Sequence, residues 1–483
     1  MTENLTQMLV NSAKERPTLR VGTVDDQMLL SEALEIAAGG AAWIDQYQPN
    51  TGGRVAIVAG SSTDYLLVWM ACLLAARPVA LINPTYPAEL LTQMLANLDP
   101  ALVLTDREDR DFTNGLPVFP ISACRDWDKA QPSDCAGISA DGLDVASFMH
   151  TSGTTGVPKF CAQSHTYFLR LGRAIADAMQ LESGDRVLAP LPLFHVNPLG
   201  YGIIGGILAG ADALALPRFS ASQFWPTIRE HQITAMILHA PPVEILKRST
   251  TAQDAAGHKV RTMFFADGEF MRRFGIARSV GGYGSTEAGG MANLHPWRLG
   301  DDIPQDASGR GGPSRPDFEN MIDQGGQIHV RERVRGAMFS GYFDGGAVVP
   351  ATDSEGWFAT GDRGTRDEEG NLVFVERFAE SIRVKGEYVP IRYVEERLGQ
   401  ISELTDLALW KKPGDLVDDE VVLYIAVDQV PLDEIQRVSG DLPAFMRPSH
   451  VARLKAIPRD AAAGKVQRRL LHEQEVLSWT TLP

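Results

Sequence analysis

One segment of the sequence combines hydroxyls, glycines and a lysine in a pattern suited to holding phosphate. Within Thr151–Lys159 the backbone N–H groups and the hydroxyls could surround phosphate oxygens. The spacing lacks the four-residue gap and the Lys-Ser/Thr ending of a P-loop, so a P-loop nucleotide hydrolase is not supported. Taken alone, the segment is explained equally well by a surface turn. Its candidate phosphate-binding residues are Thr151, Ser152, Gly153, Thr154, Thr155, Gly156 and Lys159.

Alternating apolar runs and helical patterns precede this segment. The pattern predicts strands at 54–58, 79–82 and 101–104, separated by helices at 65–76 and 88–98. Such alternation is typical of parallel sheets covered by helices on both faces. A further strand at 145–149 leads directly into the phosphate-type segment. The predicted fold class is therefore α/β.

The composition and the hydrophobic pattern of the sequence change in its last third. From about Gly311 glycine and charge become dense and the strands become short, which indicates a smaller β-rich subdomain. The segment after Arg377 mixes strands and helices and indicates a compact α+β unit. We predict an N-terminal domain of layered αβ subdomains over 1–377 and a C-terminal domain over 378–483.

Composition excludes several classes of protein. The 483 residues carry 45 basic and 61 acidic side chains, a net charge of −16, which disfavours a nucleic acid or an anionic membrane surface as partner. The longest apolar run, Tyr65–Ala76, is too short to span a bilayer. The N-terminus lacks the pattern of a secretory signal, and the four cysteines are scattered without metal-ligand spacing. We expect reduced thiols and a cytoplasmic location.

Four further features follow the phosphate-type segment in a recognisable order. They are the pentapeptide Tyr283–Glu287, the heptapeptide Gly356–Asp362, Arg377 and Lys465. Together with Thr151–Lys159 they resemble the adenylate-forming superfamily, which includes acyl-CoA synthetases, peptide-synthetase adenylation domains and luciferases. The stretches 191–197 and 217–225 look most like the acyl-CoA ligase branch, particularly its carnitine-CoA-ligase-like members.

The resemblance implies a role for each motif residue. The Tyr283 ring would stack on adenine, the Thr286 hydroxyl would meet the α-phosphate, and Glu287 would hold Mg²⁺. Asp362 would accept hydrogen bonds from the ribose hydroxyls, which Arg377 also contacts. The remaining residues that the resemblance places near ATP or AMP are Asp267, Gly268, Glu269, Gly282, Gly284, Ser285 and Phe374. The segment Ala266–Glu269 departs from the family's usual Gly-Gly-Ala-Pro.

The implied reaction has two halves. A carboxylate attacks the α-phosphorus of ATP, pyrophosphate leaves, and Lys465 bridges the carboxylate and the α-phosphate. The thiol of CoA then attacks the acyl-adenylate after the C-terminal domain swings about a hinge at Ala379. This motion would bring a loop containing Lys385, Gly386 and Glu387 to the CoA. For Lys385, a solvated surface charge is an equally good interpretation.

The resemblance also places an acyl pocket. Its residues would be His195, Val196, Gly200, Gly281, Gly282, Ala288 and Gly289, with His195 as a gate and catalytic neighbour. Small residues leave volume, so we expect a bulky carboxylic acid. The alternatives are that the glycines only satisfy backbone turns and that His195 is structural.

One departure from the family pattern leaves the second half-reaction open. The hinge position, where the family usually has Asp or Lys, is Ala379. The alternative is therefore an enzyme that stops at the acyl-adenylate and hands it to a partner ligase or a carrier protein. A catalytically silent nucleotide-binding regulator is disfavoured because Glu287, Asp362 and Lys465 are all present. A monomer and a homodimer both stay open.

Overall fold

The computed structural model describes most of the chain. The described residues are 3–47, 53–151, 157–304, 307–377, 382–404, 406–413, 419–459 and 466–482. They form two compact units, the first comprising Met1–Pro84, Leu95–His150 and Phe160–Glu376, and the second comprising Thr85–Met94, Thr151–Lys159 and Arg377–Pro483. The sequence did not indicate the two short N-terminal segments of the second unit, and the division into domains 1–377 and 378–483 stays a prediction.

Strands and helices largely alternate from Leu5 to Phe274, as the sequence predicts for the first part of the chain, and strands predominate from Arg278 to Arg377. The strands are β1 Arg20–Thr23, β2 Asp26–Leu29, β3 Val55–Val58, β4 Val79–Ile82, β5 Leu102–Thr105, β6 Val118–Pro120, β7 Val145–Thr151, β8 Lys159–Ser164, β9 Arg186–Ala189, β10 Asp212–Ala215, β11 Ala235–Ile237, β12 Thr262–Phe264, β13 Arg278–Tyr283, β14 Asn293–Arg298, β15 Arg310–Gly312, β16 Phe318–Ile322, β17 Gln327–Glu332, β18 Gly341–Asp344, β19 Ala347–Val349, β20 Phe358–Arg366 and β21 Leu372–Arg377. The helices are α1 Leu5–Glu15, α2 Leu30–Tyr47, α3 Thr63–Leu74, α4 Ala88–Leu98, α5 His165–Met179, α6 Gly205–Ala209, α7 Ala221–Glu230, α8 Ala240–Ser249, α9 Ala252–Ala255 and α10 Gly268–Phe274. A π-helix, Asn197–Ile204, runs directly into α6.

The first sheet has the strand order β19-β18-β8-β7-β4-β3-β5-β6. Strands β7, β4, β3, β5 and β6 are parallel, which confirms the βαβαβ prediction. The residues of β3, β4 and β5 are all buried, as expected for strands covered on both faces. Helix α3 begins two residues before the predicted helix because the Ser62 side chain accepts a hydrogen bond from the Tyr65 N–H, and it ends before Ala76, whose φ is 52°.

The second sheet has the strand order β14-β13-β12-β11-β9-β10-β1-β2. Its inner strands are parallel, and the edge strands β2 and β14 pair antiparallel with their neighbours. One apolar cluster contains residues of both sheets together with residues of α1, α2, α3 and α5. The helices between the sheets therefore share their core with both.

A smaller antiparallel sheet has the order β15-β21-β20-β17-β16. It corresponds to the β-rich subdomain predicted from about Gly311. Its core includes Phe318, Ile328 and Val330, and the same cluster contains Tyr283 from β13. This sheet is therefore packed against the strand that carries the predicted adenine-stacking residue.

The C-terminal unit combines a hairpin, a four-stranded sheet and two helices. Its elements are β22 Ile382–Val384, β23 Glu387–Val389, α11 Ile391–Leu398, β24 Leu407–Pro413, β25 Asp419–Ile425, α12 Leu432–Gly440, β26 His450–Leu454 and β27 Val476–Thr481. The sheet order is β24-β25-β26-β27, with β25 and β26 parallel. The predicted fold class, a large layered α/β part and a smaller α+β part, is confirmed. Within the described residues no helix is long and apolar enough to cross a membrane.

Candidate active site

The pentapeptide Tyr283–Glu287 begins at the carboxyl end of β13. Tyr283 is the last residue of this strand, which is parallel to β12. Ligands of open α/β sheets bind outside the carboxyl ends of the strands, so the segment stands where a nucleotide site is expected.

Three predicted nucleotide-binding residues lie together at this end. The Tyr283 hydroxyl donates a 2.8 Å hydrogen bond to Asp362 Oδ2, and both side chains are buried. The Phe374 ring lies 6.3 Å from the Tyr283 ring, centroid to centroid, at an interplanar angle of 23°. Two near-parallel aromatic faces and an oriented carboxylate are suited to a purine nucleoside.

Hydrogen bonds also fix the backbone carbonyls of Thr286 and Glu287 and the Glu287 carboxylate. The Tyr167 hydroxyl donates to the Thr286 carbonyl at 3.0 Å, and burial raises the pKa of Tyr167 well above its ordinary value, so it stays a donor. The Phe339 N–H donates to the Glu287 carbonyl at 3.2 Å. The Tyr342 hydroxyl donates to Glu287 Oε1 at 3.1 Å. None of these three aromatic residues belongs to a motif that the sequence shows.

A buried arginine fixes the loop that follows Glu287. Arg315 donates to the carbonyls of Gly289 and Met291 at 3.2 and 2.7 Å, and it forms a two-pronged ion pair with Asp317. Ser285 closes the turn: its side chain accepts from the Ala288 N–H, and its carbonyl accepts from the Gly290 N–H. The loop that carries Glu287 is therefore held by groups from several elements.

The phosphate-type segment joins two strands of the first sheet. Thr151 is the last residue of β7, and Lys159 is the first residue of β8 and is exposed. The predicted residues Ser152, Gly153, Thr154, Thr155 and Gly156 lie outside the described residues. The segment thus leaves the carboxyl end of a strand in the parallel part of that sheet.

His195 lies in an aromatic group before the π-helix. Its ring centroid is 4.7 Å from that of Phe194 and 6.2 Å from that of His150. His150 Nε2 accepts a hydrogen bond from the Asn83 N–H at 3.3 Å. Val196 precedes the π-helix. Helices of this kind are often found at functional sites.

The glycines assigned to the acyl pocket are packed against protein atoms. A Cβ at Gly200 would meet Leu171 Cδ2 at 3.0 Å, and a Cβ at Gly282 would meet the Asn293 carbonyl oxygen at 2.2 Å. The corresponding distance is 3.0 Å at Gly281, to Ala266 Cβ, and 2.3 Å at Gly289, to the Phe318 ring. At these four positions protein atoms occupy the space into which a Cβ would point, which favours a packing role for the glycines. Ala288 is likewise fully buried. The acyl pocket and the bulky acid stay predictions.

The residues of the Ala266–Glu269 segment have structural partners. Asp267 Oδ1 accepts from the Phe270 N–H at 2.8 Å and caps α10, while its Oδ2 lies 2.9 Å from Lys247 Nζ. Glu269 lies 3.4 Å from the same Lys247 nitrogen. Gly268 packs at the first turn of α10, where a Cβ would meet Ile303 at 3.0 Å. These contacts explain both carboxylates without a nucleotide.

The predicted CoA loop is a tight hairpin turn. Lys385 and Gly386, with φ of 52° and 86°, connect β22 and β23, and Val384 pairs with Glu387. Two residues with positive φ are what a two-residue hairpin of this kind requires. Lys385 therefore lies at the tip of the turn, in a backbone conformation that is more favourable for Gly than for Lys.

Three further predicted residues cannot be placed in this geometry. Ala379 and Lys465 lie outside the described residues, and Arg377 is described only as the last residue of β21. Their assigned roles stay predictions.

The comparisons with known proteins identify the class. A family model described as AMP-binding enzyme matches residues 21–343, about two thirds of the chain. The chain therefore belongs to the AMP-binding enzyme family, which confirms the resemblance drawn from the motifs.

Individual relatives are distant but extend over much of the chain. It is 27% identical over 346 residues to crotonobetaine/carnitine–CoA ligase of Proteus mirabilis, covering 68% of this chain and 66% of that protein. It is 26% identical over 514 residues to oxalate–CoA ligase of Arabidopsis thaliana, covering 97% and 98%. Its fold is similar to that of o-succinylbenzoate CoA synthetase of Bacillus subtilis, with a TM-score of 0.83, 20% identity and coverage of 97% and 98%.

Proposed function

We propose that this protein is an AMP-forming acid–thiol ligase. It activates a carboxylic acid with ATP to an acyl-adenylate and pyrophosphate, and it then transfers the acyl group to CoA. The proposal depends on one observation: in a chain of the AMP-binding family, Tyr283 contacts both Asp362 and Phe374, and Glu287 of the same pentapeptide is hydrogen-bonded by Tyr342. The names of the relatives as CoA ligases support CoA as the acceptor.

Tyr283, Asp362 and Lys465 have distinct roles in the proposed reaction. In the first step a carboxylate oxygen bonds to the α-phosphorus, and the bond from that phosphorus to the bridging oxygen breaks as pyrophosphate leaves. Tyr283 and Asp362 would orient the nucleoside, and Lys465 would place positive charge between the two approaching anions. In the second step the CoA sulfur bonds to the acyl carbon, the thiol proton is released, and AMP leaves.

Glu287 is suited to a magnesium ion that arrives with the nucleotide. Mg²⁺ prefers oxygen ligands and is often held by one or two carboxylates together with substrate phosphates. Glu287 offers such a carboxylate, already oriented by Tyr342. No group of three or more acidic, histidine or cysteine side chains suited to a metal was found among the described residues, which fits an ion held mainly by ATP. When bound, Mg²⁺ would offset negative charge on the phosphoryl oxygens.

The remaining assignments are part of the same proposal. Thr151–Lys159 would hold the departing pyrophosphate, and the 383–388 hairpin would contact CoA. A rotation about Ala379 would switch the enzyme from the first half-reaction to the second. Among the described residues no disulfide joins Cys72, Cys124, Cys135 or Cys161. The cytoplasmic location is part of the same proposal.

A panel of carboxylic acids tests the proposal. Each acid is incubated with ATP and Mg²⁺, with hydroxylamine to trap acyl-adenylate, and separately with CoA. We expect at least one acid to give a hydroxamate without CoA and an acyl-CoA with it. Hydroxamate without any acyl-CoA would instead favour transfer to a carrier protein or partner ligase, and no product with any acid would contradict the proposal. Glu287→Gln serves as the matched inactive control.

A further inference from the structure

Glu287 is held at two points by one short segment. The Phe339 N–H donates to the Glu287 carbonyl at 3.2 Å, and the Tyr342 hydroxyl donates to Glu287 Oε1 at 3.1 Å. The backbone and the carboxylate of the predicted metal ligand are therefore fixed by residues only three apart. No sequence motif used above includes Tyr342.

The segment that holds Glu287 is itself part of the first sheet. The Ser340 N–H donates to the Ala162 carbonyl at 2.8 Å, and Tyr342 stands opposite Cys161 in the pairing of β18 with β8. The Tyr342 ring packs edge-on against the Phe339 ring, with centroids 5.1 Å apart, and Phe339 packs against Phe358. The position of the hydroxyl is therefore set by a strand pair and an aromatic contact.

A partner that orients a metal-binding carboxylate contributes strongly to metal affinity. Removing such a partner typically weakens metal binding or activity about 10–100-fold. We propose that Tyr342 is a positioning residue whose hydroxyl holds the Glu287 carboxylate in the orientation that binds the divalent cation of the nucleotide. This inference rests on the proposed function.

The test removes the hydroxyl and keeps the ring. Tyr342→Phe is compared with Tyr201→Phe, a matched control whose hydroxyl donates to the Gly290 carbonyl at 3.1 Å in the same loop, three residues after Glu287. Binding of Mn²⁺ to the enzyme–ATP complex is followed by electron paramagnetic resonance without acid. Binding of ATP alone is measured by calorimetry in EDTA, and circular dichroism checks the fold of each variant.

We expect Tyr342→Phe to weaken Mn²⁺ binding to the enzyme–ATP complex about 10-fold, with ATP binding in EDTA unchanged. Tyr201→Phe should leave both values unchanged. In a Glu287→Gln background, Tyr342→Phe should cause no further loss, because its effect passes through that carboxylate.

Two results would overturn the inference. One is Mn²⁺ binding by Tyr342→Phe as tight as in the unaltered protein, and the other is equal weakening by Tyr201→Phe. A protein that binds neither ATP nor its Mn²⁺ complex would contradict the proposed function itself, so the two failures are distinguishable.

Discussion

At the scale of single residues, buried hydrogen bonds orient the acceptor groups before any nucleotide arrives. Asp362 is buried and accepts from Tyr283, which fixes the carboxylate relative to the ring that would stack on adenine. Groups held in place in this way need no reorganisation when the substrate binds. We therefore expect this pair to orient a nucleoside as the motif resemblance implies.

A second residue-scale feature predicts how stability depends on pH. His165 is buried, and its Nδ1 accepts from the Leu5 N–H at the start of α1. Burial lowers the pKa of His165 from 6.5 to about 4, although Asp144 and Asp141 oppose this shift. The unfolded chain takes up a proton at higher pH than the folded protein, so this stabilising contribution is complete above about pH 6.5 and is lost progressively as the pH falls towards 4.

We expect His165→Asn, which keeps an acceptor for the Leu5 N–H, to flatten this dependence. Between pH 7 and about pH 4.5 the unaltered protein should lose about 2–3 kcal/mol more of its unfolding free energy than the variant. Urea unfolding at a series of pH values measures the difference. Parallel curves for the two proteins would exclude a role for His165.

Some residues of the site are visible in the sequence and others are not. The pentapeptide Tyr283–Glu287 is local, so its chemistry can be interpreted from neighbouring residues alone. Tyr342 acts on Glu287 from 55 positions along the chain, and Tyr167 reaches Thr286 from 119 positions away. Only the pairing of β18 with β8 and the placement of α5 bring these hydroxyls to the motif. A tyrosine following Ser340-Gly341 carries no signal of that contact.

At the scale of elements, close packing of the π-helix and α6 explains why glycines follow the His195 segment. Gly202 lies in Asn197–Ile204, and a Cβ there would stand 2.6 Å from Ala189 Cβ on β9. At Gly206, in α6, a Cβ would lie 3.2 Å from Ala213 Cβ and 3.4 Å from Val187 Cγ2. The glycines let a helix approach the second sheet closely. Composition alone could not separate this packing role from an open cavity.

Gly202→Ala should therefore destabilise the protein. The added methyl must displace backbone-anchored atoms, which costs about 1–3 kcal/mol. Gly309→Ala is the matched control, because the nearest atom to its Cβ would be the Phe374 carbonyl oxygen at an ordinary 3.6 Å. The control should change stability by less than about 0.5 kcal/mol. Equal urea midpoints for Gly202→Ala and the unaltered protein would show that the π-helix can move away from β9.

The strands were predicted more closely than the ends of the helices. Fully apolar runs such as those of β3 and β4 identify buried parallel strands because both faces are covered. The start of α3 depends on the Ser62 cap and its end on the left-handed Ala76, and neither is part of the apolar pattern. The Ser62 side-chain cap and the left-handed Ala76 therefore account for the two-residue shift.

At the scale of the whole molecule, a net charge of −16 is compatible with anionic substrates only if positive charge is concentrated locally. The proposal places this charge at Lys159, Arg377, Lys385 and Lys465. The acidic balance disfavours a polymeric nucleic acid and does not argue against a nucleotide.

The two half-reactions should depend differently on Lys465. Lys465→Ala should lower adenylation, measured by exchange of labelled pyrophosphate into ATP, by about 10²–10³-fold because it removes fixed positive charge from the transition state. Conversion of a supplied acyl-adenylate to acyl-CoA should change less than about threefold, since in that step the bonds form and break at the acyl carbon and no anion attacks the α-phosphorus. Equal loss of both activities would contradict this division of work.

The formation of an acyl-adenylate is tested most directly by following the oxygen atoms of the acid. An accepted acid is labelled with ¹⁸O in both carboxylate oxygens and converted with ATP and CoA, and the products are analysed by mass spectrometry. We expect one ¹⁸O in AMP, one in the acyl-CoA carbonyl and none in pyrophosphate. Formation of ADP, or ¹⁸O in inorganic phosphate with unlabelled AMP, would contradict it.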